Sequence, residues 1–233
     1  MGQVIPRNSS PERIFGDTHT TLSNARSRSD AIKSAAEARL GPIEVAIFTN
    51  EENFRAAKTA ARVASSRLEA ADASSDLTVG RVIDVAWNEL GRPSHSVDFT
   101  CIVGGGKQDW TDGDPLDQHL RMSVLADRFR KTTVPALQAN KEAWAVEIEQ
   151  KAAVQEAAAA ASKAADAPVY SFVAQQRSLA NIAQVALTRL KRDYKSSGMT
   201  EVQIHELIPD YTPRSAKRAV PATAAPAGGT PTP

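Results

Sequence analysis

The stretch from Leu116 to Tyr194 constrains this chain more than any other, because it is alanine-rich and strongly helical in composition, with Pro135 marking a break or the start of a long helix and Pro168 interrupting that helix. Between Leu137 and Ala165 it is built from alanine, glutamate, lysine and glutamine, which lose little side-chain freedom on becoming helical, so a long helix is expected there. Its apolar marks, Leu137, Trp144 and Ile148, fall at steps of seven and four, after which the face dwindles to alanines from Ala152 to Ala161. Alanine alone cannot build a full-sized core, so such a helix must pack closely against another small-residue helix or stand partly free. Thr49 to Ala73 offers that surface at Ala57, Ala60, Ala61 and Ala64, and the two are expected to pair as antiparallel arms.

Residues 1–22, with Pro6, Pro11 and Gly16, suggest a flexible N-terminal arm. Ser23 to Leu40 suggests a short helix stopped by Gly41 and Pro42. The β-forming run Ile43 to Phe48 and the alternation of Val97, Phe99, Cys101 and Val103 with Asp98, Thr100 and Ile102 predict two strands, with Cys101 inward beside Phe99. Ser74-Ser75-Asp76 is expected to interrupt the helix that begins at Thr49, and Leu77, Ile83, Ala86, Trp87 and Leu90 to form a buried face beyond it. Leu116, Leu120, Val124 and Phe129 mark one side of a further helix, and Leu179, Ile182, Ala183, Ala186, Leu187 and Leu190 another. Thr200 caps a last short helix to Ile208. The resulting fold class is mainly α: an elongated helical body of antiparallel alanine-rich helices, with a small two-strand α/β element and disordered termini. The expected divisions are an arm at 1–22, a helical body at 23–208 carrying an acidic Gly/Asp loop at 104–115, and a Pro/Ala-rich tail at 209–233.

No chemistry is declared by a motif. Gly104-Gly105-Gly106-Lys107 lacks the Ser or Thr and the helix that a phosphate loop needs after its lysine. Asp109, Asp112, Gly113 and Asp114 resemble a calcium loop in composition, but no glutamate stands at its closing position. His19, His95, His119 and His205 are scattered, and the single cysteine, Cys101, supplies neither a disulfide nor a metal companion. No catalytic residue, metal site or cofactor is therefore predicted. An enzyme using the 104–114 loop is the least favoured alternative.

Charge is more informative. The formal net charge is only +1, which argues against a surface that is basic throughout. Locally, Arg177, Arg189, Lys191, Arg192, Lys195, Arg214, Lys217 and Arg218 oppose Asp193, Glu201, Glu206 and Asp210, a difference of 8 − 4 = +4. Tyr194 and Tyr211 lie among these cations and could stack on bases, so all ten of these basic and tyrosine residues form the predicted nucleic-acid-binding set. No apolar run is long enough to span a membrane, and the N-terminus lacks the order of a secretion signal.

Alanine (40 residues), serine (19) and proline (13), together with the Pro/Ala terminus, give the chain its likeness to known proteins. In size and composition it resembles the proline-alanine-serine-rich proteins that coat the genomes of capsidless fungal RNA viruses. More loosely, it resembles the coat proteins of rod-shaped and filamentous RNA viruses. That resemblance implies a non-enzymatic, self-assembling structural protein that coats or packages nucleic acid, RNA favoured, as a homo-oligomer in a virion or the host cytoplasm. The competing expectation is a helical scaffold or virion component that binds only proteins.

Overall fold

The computed structural model describes residues 9–93 and 96–209. The chain is mainly helical, in the order α1 (Pro11–Arg26), α2 (Asp30–Glu89), α3 (Val97–Val103), α4 (Gln108–Thr111), α5 (Gln118–Lys131), a 3-10 turn (Pro135–Leu137), α6 (Lys141–Ser196) and α7 (Glu201–Leu207). No strand occurs among the described residues, so both predicted strands are corrected.

The physical reasons differ for the two. Ile43–Phe48 lies within α2, where Leu40 and Ile47 recur on a buried helical stripe and helix formers flank the run on both sides. Val97–Val103 becomes α3 because the Ser96 hydroxyl accepts from the Phe99 amide at 3.2 Å and so caps a helix start. Helical spacing then buries Ile102 and Val103 and leaves Cys101 exposed, not inward as a strand would have it. The expected breaks at Gly41-Pro42, Ser74-Ser75-Asp76 and Pro168 are absent as well. Both prolines sit on exposed turns, where the missing amide and the ring are tolerated in long helices anchored on either side. Residues 11–22, expected in a flexible arm, belong to α1, with Ser10 as cap and Ile14, Phe15 and Leu22 buried. Apart from Pro209, the expected tail lies outside the described residues.

The described residues form two compact units, one of residues 9–44 and 180–209 and the other within residues 45–179. In the first, α1, the start of α2, the end of α6 and α7 enclose Leu22, Leu40, Leu187, Leu190, Tyr194, Ile204 and Leu207. Asn24 on α1 donates to the carbonyls of Glu206 (3.1 Å) and Leu207 (3.2 Å), satisfying acceptors at the end of α7. Thr200 caps that helix as expected, and its side chain and that of Gln203 complete a capping box.

In the second unit, Val79, Val82, Ile83, Met122, Leu125, Phe129, Leu137, Trp144 and Ile148 form the large-residue core. Here α2 pairs with α6 and the residue before it, through Glu89 with Asn140 (2.6 Å), Arg81 with Glu147, Ser74 with Lys151 (2.8 Å) and Asp72 with Gln155 (3.2 Å). Partner numbers rise on α6 as they fall on α2, so over this stretch the helices run in opposite directions. Full burial at Ile47, Asn50, Leu68 and Ser75 and partial burial at Phe54, Ala57, Ala61, Ala64 and Ala71 then recur along α2 in alternating steps of three and four. That is the 3.5-residue period of a coiled-coil seam, here filled largely by small residues. Three predicted faces are corrected in part: Leu77 (76% exposed) and Trp87 (38%) on the first, Leu120 (58%) and Val124 (49%) on the second and Ile182 (51%) on the third point outward, because the neighbouring helices meet a different side.

Candidate nucleic-acid interface

The predicted binding set separates on folding. Tyr194 is buried, with its hydroxyl donating to the Ile32 carbonyl at 3.1 Å, and burial followed by the nearby Asp193 carboxylate pushes its pKa up to about 12. It is a core residue and cannot stack on a base. Lys195 and Lys191 both grip Glu201, at 3.1 and 3.2 Å, and hold its carboxyl down to about 2. These pairs tie the end of α6 to α7, with Lys191 largely covered and Lys195 still exposed. Arg189 and Arg192 are exposed in the first unit and Arg177 in the second. Tyr211, Arg214, Lys217 and Arg218 lie outside the described residues.

A different set of cations stands out in the second unit. Residues 53–68 of α2 contain Arg55, Lys58, Arg62 and Arg67 and no acidic residue. All four are exposed, and Arg55, Lys58 and Arg62 recur at steps of three and four along one side of the helix. Arg55 has Glu51 3.8 Å away across one exposed turn, a pairing of little energy. On α6, Lys163 and Arg177 are exposed at fourteen residues' separation, with Tyr170, 74% exposed, midway between them. The signal for this surface is legible in the sequence as an acid-free run with helical cation spacing. It is obscured when charge is summed along the C-terminal third alone.

The acidic half of the second unit is built differently. Gln118 donates to Asp76 at 3.1 Å and to the Trp110 carbonyl, and Gln155 donates to Asp72 at 3.2 Å and to the Pro115 carbonyl at 2.8 Å. Desolvation, then the neighbouring carboxylates of Asp72 and Asp112, raise the Asp76 pKa to about 6, against the pull of Arg121. Asp109 accepts the Gly105 amide at 2.8 Å and Lys107 pairs with Asp84 at 3.0 Å, so the Gly/Asp loop is folded on itself around α4. A cavity of about 750 Å³ nearby is lined by Asp76, Arg81, Asp84, Lys107 and Asp112, with Arg81 held by Glu147. Among the described residues no group of three histidine, cysteine or acidic side chains is arranged to hold a metal ion.

Because the folded state holds the Asp76 proton more tightly than the unfolded chain, stability falls as pH rises from about 4 to about 6. Asp76→Asn keeps the acceptor for Gln118 and removes the charge. After discounting for partial exposure, it is expected to raise stability at pH 7 by about 1 kcal/mol and to change little at pH 4. Urea unfolding at the two pH values measures this, and an equal effect at both would contradict it.

No helix among the described residues is long and apolar enough to cross a membrane. No protein-family model, curated protein or solved structure matches the chain.

Proposed function

We propose that this protein is a non-enzymatic, self-assembling coat for nucleic acid, with RNA as the favoured cargo and the virion or host cytoplasm as its setting. The observation that carries the reading is the acid-free, exposed cation series Arg55, Lys58, Arg62 and Arg67 on one uninterrupted helix. Cations at fixed spacing on a rigid rod meet a phosphate backbone with little ordering cost, whereas the same charges on a loop would lose freedom on binding. The body that presents them is an antiparallel pair of alanine-rich helices, with the register seen from Glu89 to Asp72 continued along the seam. Near-neutral net charge limits phosphate contacts per subunit, so coating requires contacts between copies as well.

The protein-only scaffold is the second reading, favoured by a groove in the first unit. It measures about 520 Å³, is lined by Ile43, Ile182, Val185 and Ala186 and is flanked by Arg39 and Arg189. Ile182 and Val185 are each about half exposed, an apolar pair suited to a protein partner.

The deciding experiment is a salt titration of nuclease-treated protein against labelled RNA and DNA, with particle mass followed in parallel. The triple variant Arg55→Glu, Lys58→Glu, Arg62→Glu is expected to weaken binding at least ~100-fold at moderate salt. Its log K against log salt slope should be shallower by about 0.7 for each phosphate of a single strand that the variant no longer neutralises. Arg189→Glu with Arg192→Glu is the comparison and should have the smaller effect. Absence of nucleic-acid binding by the unsubstituted protein, together with a stable small oligomer, would transfer the assignment to the scaffold.

A further inference from the structure

The pairings of α2 with α6 in the second unit have residue numbers that sum to 229 (Glu89 and Asn140), 228 (Arg81 and Glu147), 225 (Ser74 and Lys151) and 227 (Asp72 and Gln155). Both helices continue without interruption, and the buried seam keeps its period of alternating three and four. Carried along that seam at a sum of about 228, the register would set Lys58 opposite Tyr170 and Ser65 opposite Lys163. Lys163, Tyr170 and Arg177 are seven residues apart and all exposed, so they form one row along α6 with about 10.5 Å between members. Arg55 and Arg62 are likewise seven apart and form a row along α2.

Beside the α6 row lies a second one, Ala160, Ala167 and Ala174, also exposed and spaced by seven. It offers nothing taller than a methyl group. The Tyr170 ring, 74% exposed, therefore stands above a low shelf, with Lys163 and Arg177 two turns before and behind it along its own helix, Asp166 one turn before it, and further cations on α2. A large aromatic left this exposed in the midst of an alanine-rich helix contributes little to the fold of the unit. The seam beside it is closed by Val169 and Val173, both partly buried.

We infer that this face binds single-stranded nucleic acid, with Tyr170 as a stacking platform for an unpaired base and with Lys58, Arg55, Arg62, Lys163 and Arg177 engaging the flanking phosphates. The inference rests on the coat reading above and deepens it. In a duplex the bases are stacked on one another and present no free face, so a tyrosine platform has nothing to receive, whereas every unpaired base has a face to offer. Alternation of cation and ring along one helix matches a strand in which phosphates and splayed bases alternate. The shallow alanine shelf leaves room for the base beside the ring.

The experiment measures affinity of the full chain for three probes of equal length: an intact single strand, the same strand with abasic sugars, and a duplex, each in RNA and DNA forms. The expected order places the intact single strand first, tighter than the abasic strand by about 10-fold or more. Tyr170→Ala should bring the intact strand down to the abasic affinity and leave duplex binding unchanged. Tyr170→Phe, which keeps the ring, should restore the difference. Circular dichroism of each variant checks that helicity is retained, which the exposure of Tyr170 leads one to expect. If Tyr170→Ala has no effect while the Arg55, Lys58, Arg62 variant loses binding, the stacking inference is overturned and the coat reading stands. Binding to the duplex as tight as to the intact strand overturns it equally. If no probe binds, both fall.

Discussion

Phe129→Ala is expected to cost about 3–5 kcal/mol of stability, because it removes a fully buried ring from the centre of the second unit's core. The ring meets Trp144 edge to face at 5.6 Å between centroids, and it is the point at which α5 is fastened to α6. Alanine there leaves a cavity that the surrounding Met122, Leu125 and Leu137 cannot collapse into without moving helices. Just outside it, Arg130 pairs with Glu149 and Glu142, and the Arg130 guanidinium holds the Glu149 carboxyl below its usual range. That exposed cluster is worth little by comparison and will not compensate. Urea unfolding should show a lower midpoint with an unchanged slope. Leu120→Ala on the same helix, at a side chain 58% exposed, should stay within about 0.5 kcal/mol. Similar losses for the two would mean that the buried face of α5 has been assigned to the wrong side.

Tyr194→Ala carries the second large expectation, a loss of about 3–5 kcal/mol in the first unit with no change in nucleic-acid affinity. Tyr194 is 2% exposed and packs with Leu187, Leu190, Ile204 and Leu207, so its ring is structural. The milder variant Tyr194→Phe removes only the hydroxyl that donates to the Ile32 carbonyl, for about 1 kcal/mol. It also has a pH signature. With the folded pKa pushed up to about 12 and the unfolded one near 10, the native protein loses stability as pH rises between those values. Tyr194→Phe should abolish that part of the alkaline slope. Reduced RNA binding in Tyr194→Phe, with its fold intact, would return this residue to the interface.

The contrast between Tyr194 and Tyr170 marks the limit of what local sequence can say. Both are tyrosines on one helix near cations, and nothing within a few residues of either says which is buried. Burial of Tyr194 depends on Ile32 and on α7, while exposure of Tyr170 depends on which side of α6 the seam with α2 occupies. Lys191 and Lys195 look available in the sequence for a related reason. Their positions at the end of α6 are favourable for any helix, but their occupation by Glu201 follows only when α7 folds back. Conversely, Arg55, Lys58 and Arg62 are as visible as any other cations, but the alanines beside them point first to packing.

The two missing strands and the unbroken prolines have one cause in common. A short β-forming run needs a partner strand to satisfy its backbone, and an isolated proline costs a helix a few kcal/mol. Where no partner strand exists and both flanks are already fixed in helix, continuing the helix satisfies more backbone groups than breaking it. Local propensity cannot weigh those flanks, because what holds them is contact with residues as far away as Asp193 is from Arg39.

What the amino-acid sequence determined by itself is therefore what depends on neighbours along the chain. That covers the mainly helical character, the Thr200 cap of the last short helix and a long helix over the alanine-rich stretch, which begins at Lys141 and not at Leu137. What only the tertiary structure decided is which face of each helix meets a neighbour, and hence which tyrosine is core and which cations remain available to phosphate. Helix formation is a sum of short-range terms that composition nearly specifies. Burial and charge pairing are set between residues on different helices, from Lys195 and Glu201 to Arg39 and Asp193, and only the folded chain brings those together.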